Sequence, residues 1–351
     1  MFWDLFCHVI DNQGDAGVCW RLAADLARRG EQVRLWIDDP TALAWMAPDG
    51  MAGVEVKVWV GDAAWEPGLL PGEVVVESFG CEPPPAFVAA MAAASRPPVW
   101  INLEYLSAQD YVEASHGLRS PQFSGPGAGL TKWFFYPGFG DRTGGLLREP
   151  GLVERRASFD RRAWLAARGI ETGQGERIVA LFCYDNPALV RLIADLAVLP
   201  TLVLACPGPA QRQLSALALP PTVRCIDLPW LSHADFDLLL WSADFNLVRG
   251  EDSFVRAIWA ARPFLWQIYP QNDGAHAAKL DAWLSLFGPH MVWPDRHAWC
   301  QLQRAWNGLA PWPSAWPDAD AWRDAGQRWC QRWSRMPDLT SQLLAFVAEK
   351  R

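Results

Sequence analysis

Short apolar runs alternate with helical stretches along the first half of the chain. The run LFCHVI at 5–10 predicts a buried strand, and the next stretch places apolar side chains on one helical face until Gly30 ends the helix. Further strands are predicted at 33–38, 54–60, 74–79 and 98–106. Strands that alternate with helices are typical of a parallel sheet with crossover connections.

A second alternating series begins at residue 177. Its predicted strands span 177–184, 201–206, 222–227, 245–250 and 263–269. Helices are predicted from Pro187, around 234–242 and from Glu251. Two such series predict an α/β protein of two Rossmann-like domains that face each other across a cleft, with ligands beyond the carboxyl ends of the strands.

The alternation is interrupted in two places. Residues 107–142 are polar and rich in Gly, which predicts a long functional loop. The Gly- and charge-rich stretch at 140–156 predicts a domain boundary.

Beyond about residue 274 the chain is predicted to be helical, and most of the 22 Trp are expected to pack in cores.

Length, composition and charge exclude several classes of protein. The length of 351 residues suggests two domains, and a hydrophobic content of 51% excludes a disordered or fibrous chain. A net charge of −8 without a Lys/Arg cluster argues against nucleic-acid binding, which depends on neutralising phosphates. No uncharged apolar stretch reaches the roughly 18 residues of a membrane-spanning helix, so no membrane association is expected.

The first residues and the cysteines predict a cytoplasmic protein. The segment MFWDLFCHVID lacks the basic and small-residue features of a signal peptide. The eight cysteines are scattered without a C-x-x-C pair, which favours reduced thiols over a disulfide framework or a zinc site.

The loop between the first strand and the first helix is the first candidate site. Its sequence, DNQGDAG, carries Asp11 and Asp15 four residues apart, with Gly14 and Gly17 between and after them. Two carboxylates at the carboxyl end of a parallel strand could bind a cation or act as a base. Asp15 could equally well cap the helix that follows, and the spacing alone leaves both interpretations open.

A second candidate site is the segment RGEDSF, where a predicted strand turns into a helix. Backbone N–H groups at a helix N-terminus bind phosphate, Ser253 would add a hydroxyl donor and Arg249 a positive charge. Glu251 and Asp252 oppose phosphate unless they turn away to hold a sugar hydroxyl. A pair of capping carboxylates beside a structural Arg is the alternative interpretation.

Aromatic residues near the predicted strand ends of the second series form a third group. Its members are Phe182, Tyr184, Trp230 and Phe236. Each one alone is typical of a core, but together they could stack a nucleobase.

Four segments together resemble one protein family. They are DNQGDAGVCWRLAADLA, EYLSAQDYVEASHGLRSP, KWFFYPGFGDRTGGLLRE and LVRGEDSFVRAIWAARPFLWQIYPQNDGAH. The family is EarP, the bacterial protein-arginine rhamnosyltransferase that matures translation elongation factor P. The resemblance implies a metal-independent, inverting glycosyltransferase of GT-B architecture that moves L-rhamnose from dTDP-β-L-rhamnose to an arginine side chain of elongation factor P.

The resemblance also implies a division of the chain. An acceptor domain is expected over 1–155 and a donor domain over 156–330, with a C-terminal helix in 331–351 that packs back on the first domain. Asp11 and Asp15 match the family's N-terminal aspartates, with Asp15 implied as the catalytic base, and Glu251 is a third catalytic candidate.

The resemblance also implies which residues bind the donor. Phe182, Trp230 and Phe236 fall where the family stacks thymine, although the family is expected to carry Phe at position 230. Tyr184 falls where it contacts the diphosphate. The remaining donor-binding residues are Arg249, Glu251, Asp252 and Ser253.

Two other interpretations stay open. The 249–253 segment would also serve another GT-B nucleotide-sugar transferase or an epimerase. A non-catalytic module that binds a protein through the 107–128 loop is the alternative from a different class.

Overall fold

The computed structural model of the chain describes residues 1–10, 13–59, 68–270 and 274–351. They form two compact units. The first comprises Met1–Pro150 and Met336–Arg351, and the second comprises Gly151–Arg335. The corresponding boundaries expected from the sequence are at residues 155 and 330.

The first unit is built on a seven-stranded sheet in the described part of the chain. Its strands are β1 (Phe2–Cys7), β2 (Gln32–Ile37), β3 (Val54–Val58), β4 (Val74–Ser78), β5 (Val99–Leu103), β6 (Arg119–Pro121) and β7 (Thr131–Phe135). Its helices before the second unit are α1 (Gly14–Arg28), α2 (Leu43–Met46), α3 (Pro85–Ala93) and α4 (Tyr111–Ser115). The strand order is β3-β2-β1-β4-β5-β7-β6, and all neighbours are parallel except the pair β6 and β7.

The second unit is built on a five-stranded parallel sheet with the order β10-β9-β8-β11-β12. It begins with α5 (Leu152–Ala157), α6 (Arg161–Ala167), β8 (Arg177–Leu181), α7 (Leu189–Leu196), β9 (Thr201–Ala205), α8 (Pro209–Ser215) and β10 (Val223–Asp227). It continues with α9 (His233–Ser242), β11 (Phe245–Arg249), α10 (Asp252–Ala260), β12 (Phe264–Gln267), α11 (Ala275–Phe287), α12 (Asp295–Trp306) and α13 (Ala319–Ser334). The last helix, α14 (Leu339–Lys350), belongs to the first unit.

These two parallel sheets confirm the predicted α/β fold class, but the expectation of a long loop at 107–142 is wrong. That stretch contains α4, β6 and β7. The strand β7 pairs with β5, and β6 pairs with β7 at the edge of the sheet. Both strands are short and mostly half-buried or exposed, so they lack the continuous apolar run that marks the buried parallel strands.

Most of the C-terminal Trp residues pack inside the second unit, as expected. Trp283 contacts Trp299 and Trp329 with ring centroids 6.4 and 5.4 Å apart, and all three side chains are buried. Trp293, by contrast, is 74% exposed, so the packing expectation is wrong for it.

The helix α14 is built into the core of the first unit. Leu339, Leu343 and Val347 are buried in the same apolar cluster as the central strands and α1. At the end of α1, Arg29 donates hydrogen bonds to Asp338 Oδ1 at 2.7 Å and to Ser341 Oγ at 2.6 Å. The last residues of the chain therefore complete the fold of its first residues.

We expect Leu343→Ala to lower the free energy of unfolding of the first unit by about 2–5 kcal/mol, because truncating a fully buried Leu leaves a cavity. Urea unfolding followed by Trp fluorescence measures the effect. The control is Leu70→Ala, the same substitution at a side chain that is 81% exposed, which should change stability by less than about 0.5 kcal/mol. Equal losses in the two variants would contradict the packing of α14.

A half-buried histidine, His116, joins the 107–142 stretch to α14. His116 Nδ1 accepts a hydrogen bond from the Tyr136 backbone N–H at 3.1 Å. Its ring centroid lies 4.7 Å from that of Phe135 and 6.1 Å from that of Phe346 in α14. Burial lowers the pKa of His116 below its ordinary value, because the neutral ring is favoured among these apolar neighbours.

Acid should therefore weaken the first unit through His116. Below about pH 6.5 the unfolded chain binds a proton at this histidine that the folded chain resists, so stability falls as the pH falls, by at most about 1.4 kcal/mol per pH unit. We expect His116→Gln to lose less stability than the wild type between pH 7.5 and pH 5.5 in urea unfolding. Parallel losses in the two proteins would argue against a buried neutral ring.

Candidate functional site

In the first unit, the candidate site lies where the strand order reverses. The chain moves from β1 outwards through β2 to β3 and then returns to β4 on the other side of β1. In open parallel sheets this reversal leaves a crevice at the carboxyl ends of the two central strands, and ligands bind there. The residues that follow β1, β4 and β5 therefore lie at the edge where a site is expected.

Asp15 lies at this edge with its side chain held in place. It is in the first turn of α1 and is 2% exposed. Its Oδ2 accepts a hydrogen bond from the Ile10 backbone N–H at 2.9 Å, and its Oδ1 accepts one from the Tyr105 hydroxyl at 3.2 Å. The N-cap position belongs to Gln13 and has no side-chain cap among the described residues. Both contacts join Asp15 to residues outside α1, whereas Asp11 lies outside the described residues.

Other carboxylates gather at the same edge. Glu104 follows β5, and its Oε1 accepts a hydrogen bond from Asn102 Nδ2 at 2.7 Å. Asp38 follows β2, accepts a hydrogen bond from the Val9 N–H at 2.9 Å and lies 2.5 Å from His8 Nδ1. Asp15, Asp38 and Glu104 follow β1, β2 and β5 at one edge of the sheet, and their negative charges favour a cationic ligand.

The electrostatics of this edge also affect a tyrosine beside it. Burial, and then the negative charge of Glu104, raise the pKa of Tyr136 to about 12. Its phenol therefore stays protonated at neutral pH and can only act as a neutral hydrogen-bonding group.

Sequence reasoning missed Tyr105 as a site residue. The predicted strand at 98–106 included it because the apolar pattern of VWINLEYL continues, but β5 ends at Leu103. Tyr105 therefore lies in the loop at the carboxyl edge, where its hydroxyl reaches Asp15. The signal that would have found it is its position just after a buried parallel strand.

In the second unit, the strand order reverses between β8 and β11. Phe182 and Tyr184 follow β8, and Arg249 is the last residue of β11. The Arg249 guanidinium carbon lies 4.3 Å from the centroid of the Phe182 ring and 4.6 Å from that of the Tyr184 ring. The structure therefore brings these three predicted residues together as one cation–π cluster.

The turn from β11 into α10 is closed by Ser253. Its Oγ accepts a hydrogen bond from the Arg249 backbone N–H at 3.0 Å and its hydroxyl donates to the Arg249 carbonyl oxygen. Gly250 in this turn has φ +65°, in the left-handed region that favours glycine. Glu251 takes the N-cap position without a side-chain cap bond, and Asp252 opens the helix. The hydroxyl that was expected to face a ligand thus shapes the turn at the helix N-terminus.

The two other predicted aromatic residues, Phe236 and Trp230, differ in their surroundings. Phe236 in α9 packs edge-on against Phe182 with ring centroids 5.4 Å apart. Trp230 follows β10, the edge strand, and is 45% exposed. Phe236 thus joins the cluster around Arg249, while Trp230 lies at the end of a strand two positions from β8.

The two edges differ in the ligands that they suit. The carboxylates of the first unit suit a cation, whereas Arg249, the N-terminus of α10 and the aromatic rings of the second unit suit an aromatic ring that carries phosphate. No group of three or more His, Cys, Asp or Glu suited to a metal ion occurs among the described residues. Within the same residues, no helix combines the length and apolar character needed to cross a membrane.

Comparison with known proteins identifies the family to which the chain is similar. A family model described as "Elongation-Factor P (EF-P) rhamnosyltransferase EarP" matches residues 3–348. The protein-arginine rhamnosyltransferase of Pseudomonas putida is 43% identical over 376 residues, covering 98% of each chain. A solved structure concerned with EarP-mediated arginine glycosylation of translation elongation factor EF-P is 31% identical and superposes with a TM-score of 0.70, covering 100% of this chain and 99% of that one.

A more distant structure shares the fold alone. The glycosyltransferase VinC in complex with dTDP is 15% identical, with a TM-score of 0.54 and complete coverage of both chains.

Proposed function

The chain belongs to the EarP family of elongation factor P rhamnosyltransferases, and we propose that it moves L-rhamnose from dTDP-β-L-rhamnose to an arginine side chain of elongation factor P. Members of this family are glycosyltransferases with the GT-B fold, which these two parallel-sheet units share. The observation that carries the proposal is the opposite chemical character of the two carboxyl edges. A carboxylate edge fits a guanidinium acceptor, and an arginine-aromatic edge fits a nucleoside diphosphate. Because elongation factor P works in translation, we infer that this activity takes place in the cytoplasm.

The acceptor poses a chemical difficulty that Asp15 answers. An arginine guanidinium stays protonated up to a pKa above about 12, and its lone pairs are delocalised. A carboxylate cannot remove that proton in the ground state, but it can orient the guanidinium through charge-assisted hydrogen bonds. Asp15 is suited to this because its two oxygens are already fixed by Ile10 and Tyr105. Asp11, the other aspartate of the loop, would hold the same guanidinium.

Transfer then follows an inverting displacement. A guanidinium nitrogen attacks the anomeric carbon of rhamnose from the face opposite the diphosphate, and the bond from that carbon to the diphosphate oxygen breaks. The attacking nitrogen loses basicity as it gains the new bond, so Asp15 accepts its proton late in the step. Glu251 at the start of α10 is the third residue that we assign to the reaction.

The donor is held by the second unit. Thymine would stack against Phe182, with Phe236 and Trp230 beside it, and Tyr184 would contact the diphosphate. The charge that develops on the leaving dTDP would be stabilised by Arg249 and by the N-terminal N–H groups of α10, which Asp252 and Ser253 help to shape. These groups supply positive potential at the leaving oxygen, so we propose that the reaction needs no metal ion.

We expect Asp15→Asn to fold normally and to lose at least about 99% of transfer, because an amide cannot accept the proton from the attacking nitrogen. Intact-mass measurement of elongation factor P after incubation with dTDP-β-L-rhamnose reports one added deoxyhexose per transfer. Asp49→Asn changes an exposed aspartate in the same unit and should retain wild-type transfer. Near-wild-type modification by the Asp15 variant would rule out its role as the base.

We expect Ser253→Ala to weaken dTDP binding by about three- to tenfold, because the loss of its hydrogen bonds loosens the turn that presents the N-terminus of α10. Calorimetric titration with dTDP measures this, and the affinity for elongation factor P should stay unchanged. Ser215→Ala is the matched control, since Ser215 also donates to a backbone carbonyl, that of Arg212, but lies at an exposed position. Equal dTDP affinity in the two variants would remove Ser253 from the donor site.

A further inference from the structure

We propose that Tyr105 is a positioning residue whose hydroxyl holds the Asp15 carboxylate in the orientation that the acceptor arginine requires. This inference rests on the proposed function, in which Asp15 accepts the proton. Tyr105 itself exchanges no proton and remains a hydrogen-bond donor throughout the reaction.

The Asp15 carboxylate is held by one hydrogen-bond donor on each of its two oxygens. The Ile10 backbone N–H fixes Oδ2 at 2.9 Å and the Tyr105 hydroxyl contacts Oδ1 at 3.2 Å. Two donors on the two oxygens resist rotation of the carboxylate plane. A carboxylate oxygen can accept more than one hydrogen bond, so a donor on each oxygen is compatible with binding of a guanidinium N–H. Of these two contacts, only the one from Tyr105 comes from a side chain.

Tyr105 is in turn held by an aromatic stack. Its ring is stacked on Phe79, with centroids 4.1 Å apart and planes 9° from parallel. Phe79 has φ +60°, a left-handed backbone conformation that an aromatic L-residue rarely adopts. Such strain persists only where the surroundings impose it, and it concentrates at functional sites. Here the strained residue is the platform for the ring whose hydroxyl reaches Asp15.

A network of hydrogen bonds holds Phe79 and Tyr105 in these positions. The Phe79 N–H donates to the Leu103 carbonyl oxygen at 2.7 Å. The buried Asn102 accepts from the Gly80 N–H at 3.2 Å and donates to Glu104 at 2.7 Å. These bonds tie the end of β4 to the end of β5 and fix the segment that carries Tyr105. The platform, the ring and the carboxylate therefore form one continuous, rigid unit.

A purely structural role would need the ring but not the hydroxyl. Phenylalanine at position 105 would keep the stack on Phe79 and lose the hydroxyl that contacts Asp15. The substitution Tyr105→Phe therefore separates the two roles.

We expect Tyr105→Phe to lower kcat by about ten- to hundredfold, because a small misorientation of a reacting group has an effect of that size. The KM for dTDP-β-L-rhamnose should stay within about twofold of wild type, because the donor binds to the second unit, and the melting temperature should not change. Initial rates of deoxyhexose addition to elongation factor P at varied donor concentration give both constants. Tyr111→Phe is the matched control, since Tyr111 is an exposed tyrosine of the same unit, and it should behave as wild type.

The outcomes distinguish this inference from the function on which it rests. If the wild-type protein adds no deoxyhexose to elongation factor P, the proposed function fails. If the wild type is active and Tyr105→Phe keeps a wild-type kcat, only the positioning role fails. A kcat loss in Tyr105→Phe that comes with an equal rise in donor KM, or with a lower melting temperature, would also overturn it.

Discussion

The structure depends on one constraint of parallel sheets, namely that a reversal of strand order leaves the carboxyl ends of two adjacent strands uncovered. The connections from those strands run to opposite faces of the sheet, so no helix closes the gap between them. The reversal falls between β1 and β4 in the first unit and between β8 and β11 in the second. Asp15 follows β1, Phe182 follows β8 and Arg249 ends β11, all strands at these two points, and Tyr105 follows β5, the next strand beyond β4. The rigid strands therefore place the reactive side chains, and the loops need only orient them.

The two edges have opposite polarity for a physical reason. The Arg249 guanidinium lies against the rings of Phe182 and Tyr184, which attract its positive charge without neutralising it. The charge is then available to an anion. At the first edge, Asp15 and Glu104 carry negative charge within hydrogen-bond contact of neutral donors. An acidic loop would repel a diphosphate and an arginine cluster would repel a guanidinium, so under the proposed function this polarity would keep each substrate on its own unit.

More of the fold than of the candidate site could be predicted from the sequence. Buried parallel strands such as VVVES and TLVLA form continuous apolar runs, whereas β6 and β7 owe their structure to pairing at a sheet edge, which no local pattern encodes. The position of the Asp15 loop after β1 was predictable, but the choice between a cap and a site residue was not, because both place a carboxylate beside the helix. Ser253 and Tyr105 were harder still. The partners of their hydroxyls depend on a turn and on a stack that exist only in the folded chain.

The orientation of the proposed base also depends on residues far from it in sequence. Asp15 lies at the first turn of α1, so any tilt of this helix would displace its carboxylate. In the middle of α1, the buried Arg21 pairs with Glu149 at 3.3 Å, and at its end Arg29 pairs with Asp338 at 2.7 Å. The first pair joins α1 to the segment before the second unit, and the second joins it to α14. The helix is thus held at its start, middle and end by parts of the chain that precede and follow the second unit, and residues 336–351 supply one of these contacts.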